Sequence, residues 1–466
     1  MSTELATQPV GKLLIKYSIP AIIAMMVNGL YNVVDRIFIG NIPGVGELAI
    51  AGLGITLPLM TILLAFGLLI GIGAAANISL RLGEGKGDLA EKILGNAGVM
   101  GIMIGIPITI IGLLFSNQIL LAFGASEASL PYAKEYMDII TIGTVPYIIA
   151  ISVSHLIRSD GNPKLSAIIM AGGCALNIIL DAIFIFGLEM GIRGAALATI
   201  IAQMGTVFWG LLYFIKGNSN LKFHISNMKP DFTIIKIILA IGVAPFTLQL
   251  ATSCVQIIAN NALRAFGGDS AIAAFATINS IMIMVTMPVI GVNQGAQPII
   301  GFNYGAKQYN RSTQAFKICI IAITIILSIG WLLIQSFPNI LVRPFSGNNP
   351  DLVALTSNGL RKYSTVLPVI GITIFGSTYM QAIGKAKYAM LLSLLRQVIL
   401  LIPLMLTLPY IFGLNGVWFS QPIADSIAAV VSAIIVIREI RSIPSATINE
   451  ADMEAPDKIT ELVDPV

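Results

Sequence analysis

Apolar runs long enough to cross a bilayer recur about twelve times along this chain, separated by short polar connections. They lie near residues 13–40, 50–80, 93–116, 131–157, 164–187, 192–215, 232–264, 271–302, 315–337, 358–381, 387–411 and 415–438. A helix rising 1.5 Å per residue needs about 20 residues to cross a hydrocarbon core of about 30 Å. The pattern therefore predicts an all-α integral membrane protein of twelve transmembrane helices, numbered here as spans 1 to 12. Lys and Arg favour alternate connections. One side receives Lys12, Lys16, Arg81, Lys86, Lys92, Arg158 and Lys164, then Lys216, Lys222, Lys229, Lys307, Arg311, Lys317, Lys385, Lys387, Arg438 and Arg441. The other side holds few, among them Arg193, Arg264, Arg343, Arg361 and Lys362. The positive-inside rule puts both termini in the cytoplasm, which requires an even number of spans.

The most polar internal connection, Lys216 to Asp231, divides the spans into two sets of six, and the two sets repeat each other in sequence. Gly46-Glu47 and Ala49-Ile50-Ala51 correspond to Gly268-Asp269 and Ala271-Ile272-Ala273. At the same offset Gly73-Ala74 meets Gly295-Ala296, Gly83 meets Gly305, Pro146 meets Pro368, and Gly191 and Gly194 meet Gly413 and Gly416. Six is even, so both copies enter from the same side. Such parallel repeats form two pseudo-symmetric six-helix bundles with the transport path between them. The expected division is an N-lobe at 1–216, a cytoplasmic linker at 217–231, a C-lobe at 232–441 and an acidic disordered tail at 442–466. In the tail six acidic residues face the single Lys458, with little apolar periodicity.

Composition narrows the class. The 466 residues are 56% hydrophobic and 11% charged, with mean hydropathy +0.88. Soluble domains carry about 25% charged residues. A net charge of +4, placed between apolar runs, marks topology and not a nucleic-acid surface. Cys174, Cys254 and Cys319 lie far apart inside apolar runs and are expected to be small core residues. The first apolar run is too long for a cleaved signal peptide and should remain as span 1.

Few ionisable groups fall inside the spans, and an intramembrane acid is a functional-site hypothesis by default. The main ones are Asp35, Asp181 and Asp425, with Asp138 nearer a boundary. From the helical rise, Asp35 lies roughly 7 Å from the outer end of span 1, Asp181 roughly 9 Å from that of span 5, and Thr199 roughly 10 Å into span 6. Asn177 precedes Asp181 by four residues, on the same helical face. Two carboxylates, an amide and a hydroxyl at one level suit H⁺, or Na⁺ with its preference for oxygen ligands. The alternative is that Asp181 bonds a neighbouring span while Asp35 reaches outward beside Arg36.

The second half carries a neutral polar stripe instead. Gln249, Thr252, Ser253, Gln256 and Asn260 follow helical spacing on span 7, and span 8 adds Asn293, Gln294 and Gln297. A wet cavity wall and interhelical hydrogen bonding both fit this stripe. Asp425, four residues after Gln421, competes for the coupling role, but sequence places no comparable partner set around it. Methionines in the spans, Met25, Met26, Met60, Met282, Met284 and Met287, suit adaptable apolar ligands and equally suit packing. His155 and His224 have no ligand-spaced partners, so a satisfied or solvated histidine is expected at each, with no structural metal. Gly83-Glu84-Gly85-Lys86-Gly87 lacks the P-loop spacing and reads as a turn.

GVNQGAQPIIGFNYGA at 291–306 resembles the signature of multidrug and toxic compound extrusion (MATE) transporters. The Asn177–Gly187 segment followed by Gly191-Ile-Arg-Gly-Ala-Ala196 resembles spans 5 and 6 of the same family, and the likeness runs from about Pro20 to Arg438. The Asp of span 1 with the Asn-x-x-x-Asp of span 5 is similar to the DinF-like, MepA-like prokaryotic branch. The resemblance implies a MATE-type fold that alternately opens to each side and exports cationic or amphipathic compounds in exchange for H⁺ or Na⁺, from a prokaryotic plasma membrane. It implies Asp35, Asn177, Asp181 and Thr199 as the cation-coupling site, with Tyr31 and Asn32 near it. Gln256, Asn260, Gln294 and Asp425 remain candidates for a polar C-lobe cavity. The NorM-type branch uses acids in spans 7 and 8, which here have none. No cofactor beyond the coupling ion is expected, nor any partner beyond small molecules and the bilayer, and the chain is expected to act as a monomer. A flippase of lipid-linked precursors or a metabolite exporter of the same superfamily is the alternative. The flippase should carry a strongly cationic cavity, for which Arg396 is the clearest residue. An intramembrane enzyme would need a set such as HExxH or a GxGD aspartate pair, and neither is present.

Overall fold

A computed structural model describes residues 2–40, 46–123, 125, 130–216, 219–346 and 350–442. Side chains at 30–37, among others, lie outside the described residues, as does most of the acidic tail. All regular secondary structure among the described residues is helical. Nine helices there are long and apolar enough to cross a membrane, and two bent helix pairs raise the number to eleven. The twelfth expected span coincides with the 29-residue helix Leu414–Ser442.

Spans 1 to 3 are Val10–Gly40, Gly46–Gly83 and Gly87–Leu114. Span 4 is the pair Leu130–Ile142 and Thr144–Ser159, bent by 61°. Span 5 runs through Pro163–Asp181 into a π-helical Ala182–Gly187, and span 6 is Gly191–Lys216. Spans 7 and 8 share one 74-residue helical run, Phe232–Gly305, broken at Gly268, where φ is 65°. Span 9 is Tyr309–Ser336. Span 10 is Pro350–Tyr363 followed by Leu367–Ala382, bent by 41°. Span 11, Ala386–Phe412, is π-helical over Leu395–Leu401. The sequence repeat is a backbone repeat. Gly191 and Gly413 both hold φ 57°, and Gly85 (φ 75°) has its counterpart in Lys307 (φ 60°). The breaks in spans 4 and 10 fall beside the paired Pro146 and Pro368. Proline removes a backbone donor and clashes with the preceding turn, so a kink is its ordinary consequence.

Packing does not follow the lobe boundaries read from the chain. Leu5, Val10, Leu13, Leu14 and Tyr17, at the start of the chain and of span 1, belong to the buried cluster of the C-lobe. Ile234 and Ile238, at the start of span 7, belong to an N-lobe cluster. The two lobes thus exchange their first helical turns on one face, the face where the chain begins, called here the basic face.

Glycine permits this crossing. A Cβ on Gly83 would overlap the carbonyl oxygen of Phe302, and one on Gly305 would overlap that of Leu80. Spans 2 and 8 therefore cross backbone on backbone at their basic ends. Gly242 of span 7 lies equally close to the Leu69 carbonyl of span 2.

The linker is strapped to the N-lobe. Buried Asp160 accepts from Tyr213 Oη at 2.6 Å, Leu221 N at 2.9 Å and Asn220 N at 3.1 Å. Glu91 accepts from Lys222 N at 2.8 Å, and Asn96 from Asp231 N at 2.8 Å. Asp231 then caps span 7 by accepting from Thr233 N and Ile234 N.

Candidate functional site

Span 5 is apolar up to Asp181, where the α-helix gives way to the π-helical turn. Such turns recur at functional sites, because the wider ring redirects side chains. Asp181 is 0% exposed, and Asn177 and Thr199 are buried beside it. Asn177 with its NH₂ toward the acid donates to Asp181 Oδ2 at 2.9 Å and accepts from Thr199 N at 3.1 Å. With the amide reversed, its nitrogen faces Thr199 Oγ1 at 3.4 Å. Thr199 Oγ1 donates to Ala195 O at 3.0 Å. Spans 5 and 6 thus bring together three of the four residues expected to form the cation site. Tyr31, Asn32 and Asp35 have side chains outside the described residues, so their places rest on sequence.

Asn177 and Thr199 also line a chamber of about 390 Å³ with Asn28, Cys174, Gln203 and Thr206. Asn28 Nδ2 lies 3.9 Å from Cys174 Sγ, tying span 1 to span 5. A second chamber of about 370 Å³ lies against the C-lobe, lined by Asn293, Gln297, Thr373, Gln381 and Arg396. The chambers share Leu68, His155, Gln249, Ile290 and Gln294, and so form one central cavity between the lobes. No described carboxylate lines either chamber.

Of the C-lobe candidates, Gln294 faces this cavity. Gln256 is exposed and Asn260 half-buried, and neither is in the walls of the two chambers. Asp425 is buried behind the wall, where it accepts from Gln421 Nε2 at 3.0 and 3.1 Å and pairs with Arg396 Nη1 at 3.6 Å. Tyr363 Oη completes the set by donating to Gln421 Oε1 at 3.2 Å.

Three expectations shift. Cys254 is exposed, unlike the buried Cys174 and Cys319. His155 is neither solvated nor satisfied; it is buried and its Nδ1 has no hydrogen-bond partner. Asp425 does have a partner set, and the signal for it was available: a lone interior Arg and a lone interior Asp in one lobe favour each other. Tyr363 carried no such signal. The Gly83–Gly87 segment is the expected turn, with Glu84 paired to Arg81 and Lys86 at 2.8 Å each. Asp138 pairs with Lys134 at 3.2 Å, half-exposed.

Long apolar helices in two repeated bundles, with a central cavity and buried polar clusters between them, are the architecture of a membrane transporter. The MatE family profile matches residues 20–183 and 245–407. Multidrug export protein MepA of Staphylococcus haemolyticus (strain JCSC1435) is 27% identical over 91% of this chain and 93% of its own length. MepA of Staphylococcus aureus (strain MSSA476) is 28% identical over 92% and 94%. A solved structure of the MATE multidrug transporter DinF-BH superposes with a TM-score of 0.87 at 36% identity, over 94% of this chain and 97% of that one. The chain belongs to the multidrug and toxic compound extrusion (MATE) family.

Proposed function

We propose that this protein exports amphipathic or cationic organic compounds in exchange for H⁺ or Na⁺, by alternating access of its central cavity. The observation that carries this reading is the buried Asn177–Asp181–Thr199 cluster, whose Asn177 and Thr199 line the cavity with Asp181 behind them. At 2.9 Å the Asn177–Asp181 contact is satisfied in two ways. An amide N–H donates to an ionised carboxylate, or the reversed amide presents its oxygen to a protonated carboxyl or to a small cation. Ion arrival therefore turns the amide, and its partner Thr199 passes that change from span 5 to span 6. Asp35, by its resemblance to the family pattern, supplies the second carboxylate. For the ion to drive a cycle it must bind the two facing states unequally, since equal affinity shifts nothing.

In this reading the basic face is cytoplasmic, as the Lys and Arg distribution indicates. The glycine crossing then closes the cytoplasmic gate. The superfamily alternative of a lipid-precursor flippase is weaker, because Arg396 at the cavity wall is paired with Asp425.

The test is efflux of a fluorescent organic cation from vesicles under separately imposed pH and sodium gradients. Asp35→Asn and Asp181→Asn should each cut driven efflux by about tenfold or more, the scale of losing a charge in low dielectric. Full driven transport in both variants would remove the cluster from the coupling mechanism.

A further inference from the structure

The floor of the central cavity holds nitrogen donors that ion coupling does not use. Arg158 is 3% exposed, the one arginine or lysine in the buried class among the described residues. It takes part in none of the ion pairs there. Its Nη2 donates to Ser166 Oγ at 3.3 Å, and its Nε has no partner. Arg158 follows His155 by three residues on Thr144–Ser159, so the two share a helix face. His155 Nδ1, a donor in its Nδ1–H tautomer, and, from span 8, buried Gln297 Nε2 are also without partners, as is the acceptor Gln294 Oε1 beside them. His155, Arg158, Gln294 and Gln297 converge between spans 2, 4 and 8, and from there His155 and Gln294 reach both chambers. Gly71 lets span 2 close against this histidine, since a Cβ there would stand 3.1 Å from His155 Cδ2.

Buried donors without acceptors and a buried cation without an anion are both costly. A single negatively charged acceptor relieves them together. Arg396, the other cation at the wall, is already matched by Asp425, and no described carboxylate faces the cavity. Among the described residues, Arg158 is thus the unpaired positive charge next to the cavity, and Met25, Ile290 and Met287 line its apolar sides.

We infer that this floor binds the acidic group of the transported compound, a carboxylate or sulfonate on an amphipathic organic anion or zwitterion. His155, Gln294 and Gln297 contact the acid, and Arg158 supplies positive charge one turn beneath. The inference rests on the export reading and narrows its substrate class. Chambers of about 390 and 370 Å³ are of the size that holds drug-like molecules.

Rhodamine 110 and its methyl ester, rhodamine 123, share one xanthylium ring system and differ in a free carboxylate against a neutral ester. Their binding to the full chain in nanodiscs is read by fluorescence anisotropy, with empty nanodiscs as background. Wild type should bind the acid about tenfold or more tightly than the ester, the effect of one well-placed charge in low dielectric. Arg158→Gln and His155→Gln should each reduce that preference to about threefold or less with the ester affinity kept, while Arg158→Lys retains it. Ester binding equal to or tighter than acid binding in wild type overturns the inference and leaves the export reading standing. Binding of neither dye overturns both. A full acid preference in a folded Arg158→Gln variant also overturns the inference. Should a variant fail to fold, the wild-type ratio of acid to ester still decides.

Discussion

Lys307 is the clearest case of a residue set against its backbone. It holds φ 60° at the position where the first repeat has Gly85 at φ 75°. A side chain in the left-handed region costs about 1–2 kcal/mol, while glycine gives back about 0.5–1 kcal/mol of chain entropy. Lys307→Gly should therefore raise stability by about 0.5–1 kcal/mol in thermal unfolding, and Lys307→Val should lower it by about 1 kcal/mol or more. The opposite order would mean that the turn does not keep this conformation. Asp160 shows the reverse situation, a residue whose surroundings are built for it. Asp160→Ala orphans the Tyr213 hydroxyl and two backbone donors of the linker, at about 1–3 kcal/mol for each buried donor. Burial holds its carboxyl above the ordinary value, against hydrogen bonds from Tyr213, Leu221 and Asn220 that pull it down. The folded chain thus keeps this proton more tightly than the unfolded chain. Stability from this group falls as pH rises from the ordinary value through the folded one. Asp160→Asn has no proton to release, so its unfolding temperature should be flat across that window. A parallel slope in wild type and variant would remove Asp160 as the source.

At the scale of helices, the proposed alternating access makes the crossing of spans 2 and 8 the closure of the basic face. Gly305→Ala places a methyl group against the Leu80 carbonyl, and backbone cannot yield as a flexible side chain would. The variant should favour the state open on the basic face. Asn77, at the wall of a cavity of about 800 Å³ on that face, reports this as Asn77→Cys, with faster labelling by an impermeant maleimide applied from that side. Unchanged labelling would show that the crossing is not the gate. Much of this level was legible in the sequence. Gly83 and Gly305 stood out as a repeated pair because close backbone approach needs glycine whatever the neighbouring helix is. Pro146 and Pro368 were legible only as a repeated pair, and the breaks beside them in spans 4 and 10 came from the structure. The exchange of first turns between the lobes was not legible, because Leu13 and Ile238 are apolar in either packing. The Asn177–Asp181 pair was legible from its four-residue spacing, and its contact with Thr199 only from estimated depth. Of the groups around Asp425, Arg396 left a signal as the lone interior arginine of its lobe, whereas Tyr363 left none, since it joins the set only through helix packing.

For the molecule as a whole, the two lobes repeat each other in backbone but not in charge. The N-lobe holds an acid whose partner is a neutral amide able to reverse, the arrangement to which the proposed ion exchange is assigned. The C-lobe holds an acid whose partner is an arginine, which closes the pair against exchange. The difference predicts that coupling resides in one lobe and structural support in the other. Arg396→Gln alone leaves Asp425 buried without its cation and should cost about 3–5 kcal/mol. The double variant Arg396→Gln with Asp425→Asn removes both charges, so it should recover most of that loss in thermal unfolding. It should also retain gradient-driven efflux to within about threefold of wild type, because no exchanging group has been touched. Asp181→Asn should behave in the opposite way, folding normally while losing the response to the gradient. Loss of driven efflux in a stable double variant, together with its retention in Asp181→Asn, would move the coupling site to the C-lobe.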